Sequence, residues 1–128
     1  MTQISNYLEN AIINATVRAT SYTSPATVYL ALFTSDPTDA GTGTQITGGS
    51  YARQSITFGA PSNGVTSNSA DITFPTATAD WGTVGWIGIY DALTSGNLLY
   101  HAPLTVSKTI GNGDTFKIAT GNLTLTLA

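Results

Sequence analysis

Few side chains in this sequence could do chemistry, and the densest group lies between two apolar runs, in LFTSDPTDAGTGTQITGGSYAR. Asp36 and Asp39 supply carboxylate oxygens close to Gly41, and hard cations such as Ca²⁺ bind such oxygens. However, the order D-P-T-D-A-G lacks the alternating acids and the closing glutamate of a calcium loop. Asp before Pro commonly opens a turn, so the spacing favours a turn over a metal site.

The glycine-rich part of the same stretch, GTGTQITGG, invites comparison with phosphate-binding loops. A P-loop needs a lysine after its last glycine, and a dinucleotide loop needs a helix start that presents backbone amides to the phosphates. Neither follows here. The sequence therefore predicts an ordinary loop, with no cofactor and no metal.

His101 is the one histidine, and it lies inside a strand pattern. A catalytic triad could be drawn around it, but no G-x-S-x-G motif marks a nucleophile. Cysteine is absent, which excludes a thiolate nucleophile and disulfides. The acids outside the stretch fall at strand ends or turns rather than as a buried pair suited to glycoside hydrolysis. We expect a hydrogen-bonded strand histidine and no enzyme.

Four aromatic side chains could stack on sugars: Trp81, Trp86, Tyr90 and Tyr100. The same residue types fill sandwich cores and subunit interfaces. We expect core or interface positions for them, with Trp81 and Trp86 supporting the core.

The chain has few charged residues, with four Lys/Arg, seven Asp/Glu and a net charge of −3. Nucleic-acid binding is not expected, because a phosphate backbone requires several clustered cations. No run approaches the ~18 apolar residues of a membrane span, and no signal peptide is visible. We expect synthesis in the cytoplasm of the producing cell. Sparse charge also protects weakly against self-association, which favours a place in an assembly.

The pattern of the chain predicts one domain over residues 1–128, made of one helix followed by strands. Residues 4–19 read as the helix, and residues 27–127 read as an antiparallel β-sandwich of short strands separated by turn signals. The run TVYLALF is apolar on both faces and should be a central strand, or one covered on both sides. A long loop over residues 34–50 follows it. Pro103 should mark an edge or a bulge in a later strand.

The predicted helix carries an apolar stripe at the three-and-four spacing of one helical face, formed by Ile4, Tyr7, Leu8, Ala11, Ile12 and Ala15. Ser5 or Thr2 could cap its start, since short hydroxyl side chains accept from the first free amides. We expect this stripe to pack on the sheet of the same chain rather than on a partner.

The order of these segments resembles a family of small virion structural proteins of tailed bacteriophages, whose members are often labelled tail-fibre or minor structural proteins. The similarity covers nearly the whole chain. Its most specific pieces are LFTSDPTD, GGSYAR and PTATADWGTVGWIGIYDA. These are structural rather than catalytic motifs, so the resemblance implies a place in the virion and no reaction.

The resemblance and the small, low-charge chain together suggest a capsid decoration, or cement, protein. Such a protein would form a homo-oligomer, expected to be a trimer, and would bind the major capsid protein where shell subunits meet. The alternative is a tail or tail-fibre adsorption module that contacts host-surface glycans. Both alternatives place the chain in the virion, the first on the capsid surface.

In the decoration role, the long loop is expected to act as an extended arm that lies against a neighbouring subunit. Deleting residues 38–47 is expected to spare the fold and weaken assembly. An arm of this kind can add a strand to a neighbour's sheet. Arg53 could pair with an acid of that neighbour. The expected contact residues are Asp36, Pro37, Asp39, Gly41, Gly43, Gly48, Gly49, Tyr51 and Arg53.

Overall fold

A computed structural model describes residues 2–127 as a mainly β protein with an N-terminal α-helix. The elements within that range are β1 (Gln3–Ile4), α1 (Asn6–Val17), β2 (Val28–Phe33), β3 (Gln54–Ile56), β4 (Val65–Ser67), β5 (Ile72–Thr73), β6 (Gly82–Tyr90), β7 (Leu98–Ile110), β8 (Lys117–Ile118) and β9 (Thr124–Thr126).

Five strands form one antiparallel sheet in the order β1-β7-β6-β2-β3. Strand β4 pairs with β9, and β5 pairs with β8, as two short antiparallel ladders. Side chains of these ladders share one hydrophobic core with the main sheet, so the ladders cover one of its faces. The predicted antiparallel β-sandwich with one N-terminal helix is confirmed.

The larger core lies between the main sheet and the two ladders. In the register of β2 and β6, Leu30 is opposite Ile89 and Leu32 is opposite Ile87. Residues opposite each other point to the same face, so these four side chains form one continuous apolar surface. All four are at most 4% exposed, because the ladder side of the sandwich covers them.

The other face of the main sheet is also apolar. Ala31 and Phe33 of β2 cluster there with Tyr90 and Leu98, and all four are buried. The rings of Phe33 and Tyr90 stack with centroids 6.3 Å apart. The prediction that β2 is covered on both sides is therefore confirmed.

The helix is shorter than the predicted 4–19 span at both ends. Ile4 belongs to β1, where it pairs with Tyr100, so it is not a helical residue. Ser5 is the N-cap, as one of the two expected candidates, and its Oγ accepts a hydrogen bond from the amide of Leu8 at 3.2 Å. The side chain of Ser5 is thereby fixed at the junction of strand and helix.

The helix packs on β7 of its own chain, as expected, but little of its surface is buried there. Leu8 is the one buried helical residue. Ile13 and Val17, nearer the end of the helix, are 54% and 76% exposed. The helix therefore packs on β7, and its apolar side chains Ile13 and Val17 are left exposed.

The predicted irregularity at Pro103 is a bulge in β7. Pro103 pairs with Trp86 and Lys108 pairs with Val84 of β6. Four residues of β7, 104–107, therefore lie opposite a single residue of β6. Extra residues of this kind bend a strand and interrupt its ladder.

Asn68 joins the two short ladders from inside the protein, where it is 1% exposed. Its Nδ2 donates to the carbonyls of Ala70 at 2.8 Å and Ala119 at 3.1 Å. Its Oδ1 accepts from the buried amide of Leu123 at 2.9 Å. One side chain thus holds the turn after β4 against the segment that connects β8 to β9.

Replacing Asn68 by alanine should lower the free energy of unfolding by about 2 kcal/mol, because the buried Leu123 amide loses its acceptor and a small cavity opens. Urea denaturation followed by tryptophan fluorescence measures the change. Asn122→Ala is the matched control, since Asn122 is exposed and its side chain makes no hydrogen bond among residues 2–127. Equal midpoints for the two variants would contradict the structural role of Asn68.

Candidate functional site

The long loop after β2 folds back onto the strand it leaves. Gln45 forms an antiparallel bridge with Phe33, and the amide of Ile46 donates to the carbonyl of Leu32 at 3.0 Å. The amide of Thr34 donates to the carbonyl of Thr44, also at 3.0 Å. The base of the loop therefore continues the sheet, and the expectation of an extended arm is wrong.

The interior of the loop is as ordered as its base. Asp36 Oδ1 accepts from the amide of Thr38 at 2.9 Å, which closes a turn. The carbonyl of Pro37 accepts from the amides of Thr42 at 2.7 Å and Gly43 at 3.3 Å. A Cβ on Gly43 would lie 2.6 Å from the carbonyl oxygen of Asp36, so only glycine fits this approach.

Ile46 and Pro37 show that the loop is part of the fold. Ile46 is 4% exposed and belongs to the larger core, and Pro37 is fully buried. The expectation that deleting residues 38–47 spares the fold stays a prediction, and the burial of Ile46 argues against it, because the deletion would expose apolar surface that the loop covers.

Asp39 connects the loop to the helix and to β7. Its carbonyl accepts from the amide of Asn6 at 3.0 Å. Its carboxylate Oδ1 lies 2.7 Å from Nε2 of His101, a residue 2% exposed near the start of β7. The expectation of a hydrogen-bonded strand histidine is confirmed. Nδ1 of the same ring lies 3.7 Å from Oδ1 of Asp36.

His101 does not have the geometry of a catalytic triad, because an aspartate lies beside each of its ring nitrogens. Nε2 faces Asp39 and Nδ1 faces Asp36, so each ring nitrogen has a carboxylate beside it. A general base needs one nitrogen within hydrogen-bond reach of the nucleophile. Within the described chain, neither nitrogen is hydrogen-bonded to a serine or threonine hydroxyl.

Arg53 is used inside the protein. Its Nη1 donates to the carbonyls of Ala92 at 2.9 Å and Ser95 at 2.7 Å, and Nη2 donates to Oε1 of Gln45 at 2.9 Å. The guanidinium lies over the ring of Tyr90, 3.7 Å from its centroid, in a cation–π contact. Burial lowers the pKa of Arg53, yet an arginine stays charged in proteins.

Arg53 therefore connects the loop at Gln45 to the turn at residues 91–97. No acid lies within ion-pair distance of it among residues 2–127. The guanidinium of Arg53 is thus hydrogen-bonded within its own chain. The expected ion pair between Arg53 and a neighbouring subunit stays a prediction, and these internal bonds do not favour it.

Tyr51 and Gly49 contact the core. The hydroxyl of Tyr51 accepts from the amide of Leu32 and from Nε2 of Gln45, both at 3.0 Å. The carbonyl of Gly49 accepts from the indole nitrogen of Trp81 at 2.9 Å. Burial raises the pKa of Tyr51.

The aromatic residues do not form one exposed platform. Trp81 and Tyr90 are 6% and 8% exposed, and Trp81 belongs to the larger core, as expected. Trp86 and Tyr100 are half-buried, and they pack against opposite faces of the main sheet. Their rings therefore cannot stack on one sugar together.

The nine expected contact residues thus lie in one connected region but differ in what they offer to a partner. Asp36 and Asp39 keep about half of their side-chain surface exposed, and Gly48 has open space around it. The others are buried or half-buried: Pro37, Gly41, Gly43, Gly49, Tyr51 and Arg53. Their contact with a second protein stays a prediction.

Two residues that complete this region were not among the expected ones. His101 was recognised as a strand residue, but it is 62 positions from Asp39, and no local pattern signals such a contact. Gln45 joins Tyr51 to Arg53, and an isolated glutamine in a loop carries no signal of this role.

Among residues 2–127, no helix is long and apolar enough to cross a bilayer. Within the same range, no three or more His, Cys, Asp or Glu side chains gather as a metal site.

A comparison with protein families matches residues 3–126 to the family described as Podophage GP4 fiber I protein gp80. The match covers nearly the whole chain. No curated protein matches the sequence.

Changing Arg53 to lysine should lower the free energy of unfolding by about 1–3 kcal/mol, because one ammonium cannot reach the three acceptors that the planar guanidinium bonds. Chemical denaturation measures the change. Arg18→Lys, at the exposed end of the helix, is the matched control and should change stability by less than about 0.5 kcal/mol. If both variants unfold at the wild-type midpoint, Arg53 does not hold the two loops together.

Proposed function

We propose a function from the premise that this chain, a bacteriophage structural protein, belongs to the family described as Podophage GP4 fiber I protein gp80. The proposal is that the chain is a non-enzymatic subunit of a virion fibre. The description of the family as a fibre protein supports this proposal, and the match extends over residues 3–126.

The main support for a structural rather than a catalytic role is that the aspartate side chains hydrogen-bond to backbone amides of turns and loops. Besides Asp36 and Asp39, four aspartates each accept a backbone amide across a turn or loop: Asp71 from Thr120, Asp80 from Asn112, Asp91 from Asn97 and Asp114 from Gly111. The pKa of Asp71 is held below its ordinary value because the amide and hydroxyl of Thr120 donate to it. Carboxylates in these positions fix loops.

A second candidate is the capsid decoration protein suggested by the sequence. Small size, sparse charge and the absence of a catalytic motif support it. In that role the partner is the major capsid protein and the location is the capsid surface. In the fibre role, the partner at the distal end is a host-surface glycan. Both roles place the chain in the virion. They differ in the partner, which is the major capsid protein in one role and a host-surface glycan in the other.

Self-association, expected as a trimer, is part of either proposal. The second half of α1 supports it, because Ile13 and Val17 lie one helical turn apart and are more than half exposed. Exposed apolar side chains one turn apart on a helix form a surface on which a second helix can pack. We propose that α1 of one copy packs on α1 of another through this pair.

Labelling of intact virions tests the location. A gold-conjugated antibody against this chain, viewed by electron microscopy, should bind along fibres and leave the shell unlabelled. Label spread over the capsid would overturn the fibre proposal and support decoration. An antibody against the major capsid protein of the same phage is the matched control for access to the shell.

The helix contact is tested by the double variant Ile13→Gln and Val17→Gln, with mass measured by light scattering after size exclusion. The expected result is a shift toward the monomer at unchanged melting temperature, because both side chains are exposed in the single chain. Val106→Gln is the control, since Val106 is 71% exposed on the bulge of β7. A double variant with the wild-type mass would exclude this helix pair as the contact.

A further inference from the structure

Two asparagines of this chain, Asn63 and Asn112, are followed directly by glycine. In such a pair the backbone nitrogen of the glycine can attack the side-chain amide carbon of the asparagine, because glycine has no Cβ to hinder the approach. Asparagine is therefore among the chemically labile residues of proteins. The attack needs a glycine nitrogen that is free to turn toward the side chain, so the hydrogen bonds of the fold decide which pair reacts.

The pair of Asn112 and Gly113 is held in place by the fold. The amide of Gly113 donates to the carbonyl of Ala77 at 2.7 Å, and the amide of Asn112 donates to Oδ1 of Asp80 at 2.9 Å. Ala77 is 1% exposed, so its carbonyl would be left without a donor if the Gly113 nitrogen turned away. This hydrogen bond keeps the nitrogen of Gly113 from the side chain of Asn112.

Asn63 and Gly64 form the tip of the hairpin turn that precedes β4. The amide of Ser62 donates to the carbonyl of Val65 at 2.9 Å, and the amide of Val65 donates to the carbonyl of Ser62 at 3.0 Å. Asn63 and Gly64 have φ angles of 53° and 77°, as in the type I′ turn that asparagine followed by glycine favours. The turn therefore uses the amides of its two outer residues and not the amide of Gly64.

The two groups that would react at this turn are free of other bonds. The amide of Gly64 has no acceptor among residues 2–127, and both residues are exposed. The side chain of Asn63 makes no hydrogen bond in the same part of the chain. The nitrogen of Gly64 can thus approach the amide carbon of Asn63 without breaking a hydrogen bond of its own.

We propose that Asn63 is a site of spontaneous deamidation in the folded protein and that Asn112 is protected from it. The nitrogen of Gly64 loses its proton and bonds to Cγ of Asn63, and the side-chain nitrogen leaves as ammonia. Water then opens the resulting cyclic imide at either of its carbonyls. One opening gives aspartate, and the other gives isoaspartate, in which the main chain runs through the former side chain. The proposal is independent of whether the chain lies in a fibre or on the shell.

Isoaspartate at position 63 would disturb the pairing of β4 with β9. The carbonyl of Gly64 accepts from the amide of Leu127 at 2.8 Å, next to the paired residues Val65 and Thr126. A Cβ on Gly64 would lie 2.5 Å from the carbonyl oxygen of Leu127, so the end of the chain lies tightly against the turn. Isoaspartate adds a carbon to the main chain of this turn. The modified protein should therefore unfold at a lower urea concentration than fresh protein.

The test is peptide mass spectrometry of the full chain during incubation at mildly alkaline pH, which favours loss of the amide proton. In the folded protein, the deamidated peptide should accumulate at Asn63 and at least tenfold more slowly at Asn112. The chain unfolded in urea is the control for intrinsic reactivity. Both sites should react there at similar rates, because the hydrogen bond between Gly113 and Ala77 is lost.

Two variants connect the modification to the loss of stability. Asn63→Gly keeps the turn, because glycine adopts a positive φ freely, and it has no side-chain amide to react. Its urea midpoint should stay constant on incubation, while the midpoints of the wild type and of the matched control Asn112→Gly should fall. No deamidation at Asn63 in the folded chain, or equal rates at the two sites there, would overturn the proposal. An equal fall of the midpoint in Asn63→Gly would overturn the assignment of the lost stability to this turn.

Discussion

A central sheet that is apolar on both faces must be covered on both, and the rest of this structure depends on that constraint. Leu30 and Leu32 of β2 point to one face, while Ala31 and Phe33 point to the other. Burying such side chains contributes about 25 cal/mol per Å² of apolar surface, which is the main favourable term in folding. The two short ladders cover the first face, and the start of the helix and neighbouring loops lie near the second.

Much of the fold could be predicted because it depends on local patterns. The doubly apolar run of β2, the cap at Ser5 and the irregularity at Pro103 each follow from residue types at fixed spacing. The loop could not be predicted in the same way. Its glycines and aspartates are typical of turns, but the contact of Asp39 with His101 joins residues 62 positions apart.

The same limit explains why Arg53 was expected at the surface. A lone arginine beside polar residues is usually exposed, and only the structure brings the carbonyls of Ala92 and Ser95 within its reach. The polar residues of this chain thus serve chiefly to hold loops on an apolar sheet. This use of polar residues suits a bacteriophage structural protein, which has to keep its shape.

The attachment of the helix has a mechanical consequence. The amide of Ser5 donates to Leu99, and the amide of Asn6 donates to Asp39, so the start of α1 is tied to β7 and to the loop. A tensile load that passes from the helix into the sandwich would reach β7 and the loop through these hydrogen bonds. Strand β7 is paired with β6 on either side of its bulge, so part of the load would act as shear along those hydrogen bonds.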